Sequence, residues 1–271
     1  MSRSNNTDLK NPAKKFFEWN GGDGGFRYFD KTLGEPDASG KTKGENVSVP
    51  YPFRFLVLDQ LTTIRGFSDA DQSGFFSNEI RDTKKDSLTV RTKKGIEMTG
   101  TYEQVKEKLG AKGADYCKSV YIAYKEGEET VIGNLALKGA AIGPWIDFCK
   151  ANDVNKVGVQ VDSHTAAKKG KTEYFVPNFK AIKVSPEADQ KAIELDKELQ
   201  EYLKAYLSRN GSSTAAVQPS HEEEMSNAAP AQTAQQASTE AQAPISGGIG
   251  DQRSLSEIAF GGGAEDLDLP F

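Results

Sequence analysis

Lysine and arginine stand close to aromatic residues at several points of this 271-residue chain. A cation beside a ring does one thing well: the cation neutralises a phosphate while the ring stacks on a flat base. The ring positions that suit this reading are Tyr28, Phe53, Phe67, Phe75, Tyr121 and Tyr124. The cation positions are Arg27, Arg54, Arg65, Lys84, Lys85, Arg91, Lys93, Lys94, Lys118, Lys168, Lys169 and Lys171. Most aromatics of a β domain fill its core, so any single ring is better explained by packing than by stacking.

Other chemistries find little to work with. His164 and His221 are the only histidines, and no nucleophile motif surrounds them. The run Trp19-Asn20-Gly21-Gly22-Asp23-Gly24-Gly25 fits neither the dinucleotide fingerprint nor the P-loop, and reads as a turn. Cys117, Cys149 and His164 are scattered, without paired spacing, and a closed zinc site takes four ligands. Buried free thiols in a reducing compartment are expected. No catalytic residue, metal or cofactor is expected. No apolar run reaches membrane-spanning length, and MSRSNNTDLK lacks the apolar core of a signal peptide, so a cytoplasmic protein is expected.

The charge is uneven. The chain carries −5 overall, but from Asn210 onward nine acidic residues face one arginine. That segment is therefore −8 and the body before it +3. A weakly basic body joined to an acidic tail is the pattern of a binding surface and its competitor.

The elements that must position these residues are mostly strands. Residues 1–18 read as an N-terminal arm, with Lys14, Lys15, Phe16 and Phe17 packing as an amphipathic turn or touching a ligand. A strand follows over 26–29, with Phe26 and Tyr28 on one face and Arg27 and Phe29 on the other. The stretch 47–67 is rich in β-branched and aromatic residues and reads as one long strand, with Arg54 and Arg65 near its ends. Short strands are expected at 74–76 and 87–91, and a helix follows a Thr101–Gln104 capping box and stops at Gly110. Residues 116–125 and 130–137 form a hairpin, and Pro144 opens a short helix. A strand at 157–161, a loop 165–172 carrying three lysines, and a return strand 173–184 come next. The helix 186–208 has a narrow apolar seam, Ala192, Leu195, Leu199, Tyr202 and Tyr206, which either docks on the body or pairs with a second copy in a homo-oligomer.

From 210 to 263 the composition is Ala, Gln, Ser, Thr, Pro and Gly, too polar to bury a core, and a disordered linker is expected. After it come Ala264, Glu265, Asp266, Leu267, Asp268, Leu269, Pro270 and Phe271. Acids interleaved with large apolar residues offer a partner both charge and a ring for a pocket.

This tip resembles that of single-stranded DNA-binding proteins of bacteria and their phages, and the longer body points to a phage-type member. The resemblance implies a body (19–209) that binds single-stranded DNA without sequence preference, coating it in replication, recombination and repair. It implies that Glu265–Phe271 recruits replication or repair proteins such as a polymerase, helicase or primase. Together with the strand count, it implies a mainly β body: an OB-type five-stranded barrel with inserted short helices and a C-terminal helix. The alternative is a scaffold or regulatory protein whose tail recruits a partner and whose body binds no nucleic acid.

Overall fold

A computed structural model describes residues 10–36, 40, 42–68 and 72–212. Residues 1–9, the linker beyond 212 and the tip 264–271 lie outside the described residues.

The fold is mainly β, and one long strand ties it together. β4 (Phe53–Ser68) follows β1 (Lys15–Asn20), β2 (Gly25–Asp30) and β3 (Glu45–Ser48). Pro50 and Pro52 separate β3 from β4, because proline supplies no ladder donor, so the single strand expected over 47–67 is two. β5 (Ser73–Ser77), β6 (Leu88–Thr92) and β7 (Gly95–Gly100) lead to α1 (Tyr102–Ala111). Of these, β7 is not foreseen in the sequence. The hairpin of β8 (Ala114–Glu126) and β9 (Glu129–Leu137) then leads through a short 3-10 turn to α2 (Ile142–Ala151). A second hairpin, β10 (Gly158–Lys169) and β11 (Thr172–Ile182), precedes α3 (Pro186–Ser212), which runs past the Asn210-Gly211 stop signal.

All eleven strands form one sheet with the path β3-β2-β1-β9-β8-β4-β5-β6-β7, and β10 and β11 branch from β4. Among the described residues only the β1–β9 pair is parallel. A closed five-stranded barrel is the sequence expectation; the sheet is open instead. Two additions account for the difference. The expected N-terminal arm enters the sheet as β1, because Phe17 and Trp19 alternate into the core, and β1 takes the free edge of β9. Strands β5–β7 extend the far side of β4. The edge strand β11 still touches β1 and the turn after it: Phe175 N–H donates to Gly21 O at 2.8 Å, and Trp19 Nε1–H donates to Phe175 O at 2.9 Å.

Three apolar cores follow from the pleat. On one face of β4 and β8, Phe53, Phe55, Val57, Val120 and Ile122 pack with Phe17, Phe26 and α2's Trp145. Further along, Ile64, Phe75, Leu88 and Val90 pack with α1's Val105 and Leu109. On the opposite face α3 lays Leu199 and Leu203 on Leu61, Tyr121 and Ile132. The helix thus docks on the sheet through the expected seam. Among the described residues no helix is long and apolar enough to cross a membrane.

Candidate nucleic-acid interface

The site begins with a slip in alternation. β4 pairs Val57 with Ile122 and Asp59 with Tyr121, so one residue is extra between them. Such a bulge re-aims the side chains that follow it. Asp59 therefore leaves the face of Phe53, Phe55 and Val57 and meets α3, accepting from Gln200 Nε2–H at 2.9 Å. From there Leu61, Thr63, Arg65 and Phe67 continue along the α3 face.

Helix α3 covers only the first part of that face. Beyond it the registers place Arg65 opposite Phe76, Phe76 opposite Arg91, and Arg91 opposite Ile96. Directly opposed residues share a face with Cβ atoms about 5 Å apart, so these four form one rung across β4–β7. Phe67, two residues along from Arg65, stands on the same face. Phe67 and Phe76 are half-buried and Ile96 is 61% exposed, and none belongs to the three cores. The Nε of Arg65 is enclosed and has no hydrogen-bond partner. Exposed Lys93 and Lys94 extend the strip into the β6–β7 turn. Arginines alternating with half-buried rings on a sheet face outside the three cores can hold phosphates while the rings take bases.

Of the expected residues, Arg65, Phe67, Arg91, Lys93 and Lys94 therefore come together. The others do not join them. Lys84 and Lys85 lie in an exposed turn whose backbone N–H groups donate to Asp82 Oδ1, and Lys85 pairs with Asp82 at 3.3 Å. Lys168, Lys169 and Lys171 sit at the tip of the β10–β11 hairpin, beyond the other end of β4. Most of the stretch expected as a lysine loop there is strand, since β10 runs to Lys169. Arg54 is exposed, with Nε–H donating to Gln160 Oε1 at 2.6 Å. Arg27 is held by Glu18 across the β1–β2 pair at 2.6 Å. Tyr28 is half-buried, with Lys15 Nζ 4.1 Å above its ring.

Four expected base platforms are corrected. Phe53, Phe75, Tyr121 and Tyr124 are all buried, at 7%, 2%, 0% and 6% exposure, so none can meet a base. Lys118 is corrected too: it is 9% exposed, with Nζ 3.3 Å from Thr62 Oγ1 inside the sheet face. Phe76 and Ile96 are the residues missed. The Phe75-Phe76 doublet carried the signal, because neighbours on a strand face opposite ways and one of two rings must leave the core.

The thiols are quiet. Burial pushes both Cys117 and Cys149 up to about 11, so neither sulfur is a thiolate near neutral pH. Comparison with protein-family models, with curated proteins and with solved structures finds no match to this chain.

Proposed function

We propose that the body binds single-stranded DNA without sequence preference and that the acidic tip recruits replication or repair proteins. The observation that carries the reading is the half-buried rung Arg65–Phe76–Arg91 beyond α3, in which two arginines flank a ring that no core claims, with exposed Ile96 at its end. Stacking tolerates every base, and guanidinium groups follow the phosphates, so such a surface has no reason to select a sequence. The tip Glu265–Phe271 supports the second half through its pattern of acids, leucines and a Pro-Phe end.

The chain path supports an OB-type plan underneath. β4, β8 and β9 form an antiparallel meander, α2 follows, and the β10–β11 hairpin returns antiparallel to β4. On this plan β5–β7 with α1 are an insertion after the first strand, and β1 is a wedge in the seam.

The test is titration of oligo-dT over a range of salt. Wild type is expected to bind with an affinity that falls steeply with salt, as counterion release requires. Arg65→Ala should reduce the slope by about 0.7 for one lost single-strand phosphate contact. Phe76→Ala should cost about 1–3 kcal/mol of binding, the usual worth of a stacked base. A wild-type body that binds no oligo-dT would favour the scaffold alternative. For the tip, Phe271→Ala should abolish capture of replication partners and leave oligo-dT affinity unchanged; equal capture by both proteins sinks that half.

A further inference from the structure

A second group of rings stands at the other end of β4, and the rung does not use it. His164 on β10 is exposed, and its ring centroid lies 4.4 Å from that of Phe175 on β11. Tyr51, 38% exposed and just before β4, stacks beyond His164 with centroids 6.3 Å apart and planes tilted by 39°. Their placement is fixed from below. Tyr51 O–H donates to Gly24 O at 2.6 Å. Gly24 has φ +69°, and a Cβ there would stand 2.8 Å from His164 Nδ1, so only glycine lets the β1–β2 turn pass under the imidazole. This gives the glycine run of the sequence its use. Beyond the rings, the hairpin carries Lys169 and Lys171, which form no ion pair among the described residues.

Rings need not be exposed to hold a hairpin down. Phe175 and the Trp19 bond to its carbonyl already do that. Tyr51 and His164 stay accessible to solvent, and the hairpin tip beyond them carries two lysines without an ion pair among the described residues, which is the chemistry of a stacking station and not of a core. Phe53 to Arg65 spans twelve residues of β4, or about 40 Å at strand rise. The two groups therefore cannot share one or two nucleotides.

We infer that Tyr51, His164 and Phe175 form a second stacking station for the same single strand, which then runs on past the lysines of the hairpin tip. The inference rests on the proposed DNA-binding reading. One molecule then engages a long strand at two separated places, and the second contact gains from the effective concentration that the first creates.

The test uses the full chain and two probes, oligo-dT of about 6 and about 30 nucleotides, which bracket a single site and a two-station span. Wild type should bind the long probe at least about tenfold more tightly than the short one after correction for the number of registers. Tyr51→Leu should lower long-probe affinity about tenfold and leave the short probe unchanged. Tyr51→Phe, which keeps the ring, should bind as wild type does. The Lys169→Ala/Lys171→Ala pair, at the hairpin tip where Lys169 is half-buried and Lys171 exposed, should reduce the salt slope for the long probe alone. Long-probe binding unchanged in both Tyr51→Leu and the lysine pair overturns the second station while Arg65→Ala can still uphold the first. Short-probe loss in the hairpin variants with none in Arg65→Ala makes the hairpin the sole site and overturns the two-station geometry. No binding of either probe by wild type removes the DNA reading and this inference with it.

Discussion

The face of the sheet that carries α3 has two halves, built from the same strands and finished in opposite ways. Under the helix, polar groups are fully served. Glu79 is half-buried as a residue, but its carboxylate turns inward, where Ser119 Oγ–H donates to Oε1 and Tyr121 O–H donates to Oε2 at 2.8 Å. Asn134 Nδ2–H in turn donates to Ser119 Oγ at 2.7 Å, and Glu79 N–H donates to the hydroxyl oxygen of Tyr206 on α3 at 2.9 Å. Asp59 holds Arg81 through both oxygens, at 3.0 and 2.6 Å. Beyond the helix, Arg65 keeps an Nε with no partner, and Phe67, Phe76 and Ile96 join no core. One half of the face thus has these polar groups paired, while the other keeps a buried arginine Nε without a partner and rings outside every core, and this contrast supports the proposed binding surface.

The comparison can be broken most severely at Leu199, which is fully buried between α3 and the sheet. Leu199→Ala should cost about 3 kcal/mol of stability by leaving a cavity. Urea unfolding reads it; a cost under about 1 kcal/mol would mean that the helix only rests on the sheet. Next in size is Glu79→Ala, which strands the hydroxyls of Ser119 and Tyr121. It should cost about 2 kcal/mol, and an unaltered melting temperature would show those hydroxyls to be served by water.

Glu79→Gln sharpens the comparison by pH. Burial raises the Glu79 carboxyl above its ordinary 4.5, against the opposing hydrogen bonds from Ser119 and Tyr121 and the charge of Arg65. Folding therefore favours the protonated form. The contribution is full below the ordinary value and is lost as pH rises through the raised one, at up to about 1.4 kcal/mol per pH unit. The difference in unfolding free energy between wild type and Glu79→Gln should move against wild type over that window. A difference that stays constant from pH 4 upward would count against the inward carboxyl.

Much of this was open to reading in the sequence, and the misses have physical causes. The strands at 53–68, 114–126 and 129–137 announce themselves by β-branched and aromatic runs between turns. The helix seam at Leu195, Leu199 and Tyr202 is equally plain. Which ring faces outward is not. The Val57–Asp59 bulge shifts the phase of β4 by one residue, and bulges leave no fixed mark in a sequence. The Phe75-Phe76 doublet does not say which member turns inward; that depends on where Ser73 meets Ser68. Lys118 looks like a surface cation until Thr62 is seen opposite it. β7 has an exposed isoleucine and little alternation, and only its pairing with β6 makes it a strand.

The parallel pairing of β1 with β9 has a consequence for how the chain comes to be. Lys15 pairs with Gly133, more than a hundred residues later, and no local hairpin can bring them together. Loop-closure entropy makes such a contact late, since the intervening β4–β8–β9 ladder must form before it offers an edge. During synthesis β1 emerges long before β9; it can pair at once with β2, where Trp19 meets Phe26, but its other edge waits until β9 has left the ribosome. The first of the described strands is thus among the last to complete its pairing, and the bond that Trp19 donates to Phe175 O and the one that Gly21 O accepts from Phe175 N–H come after even that.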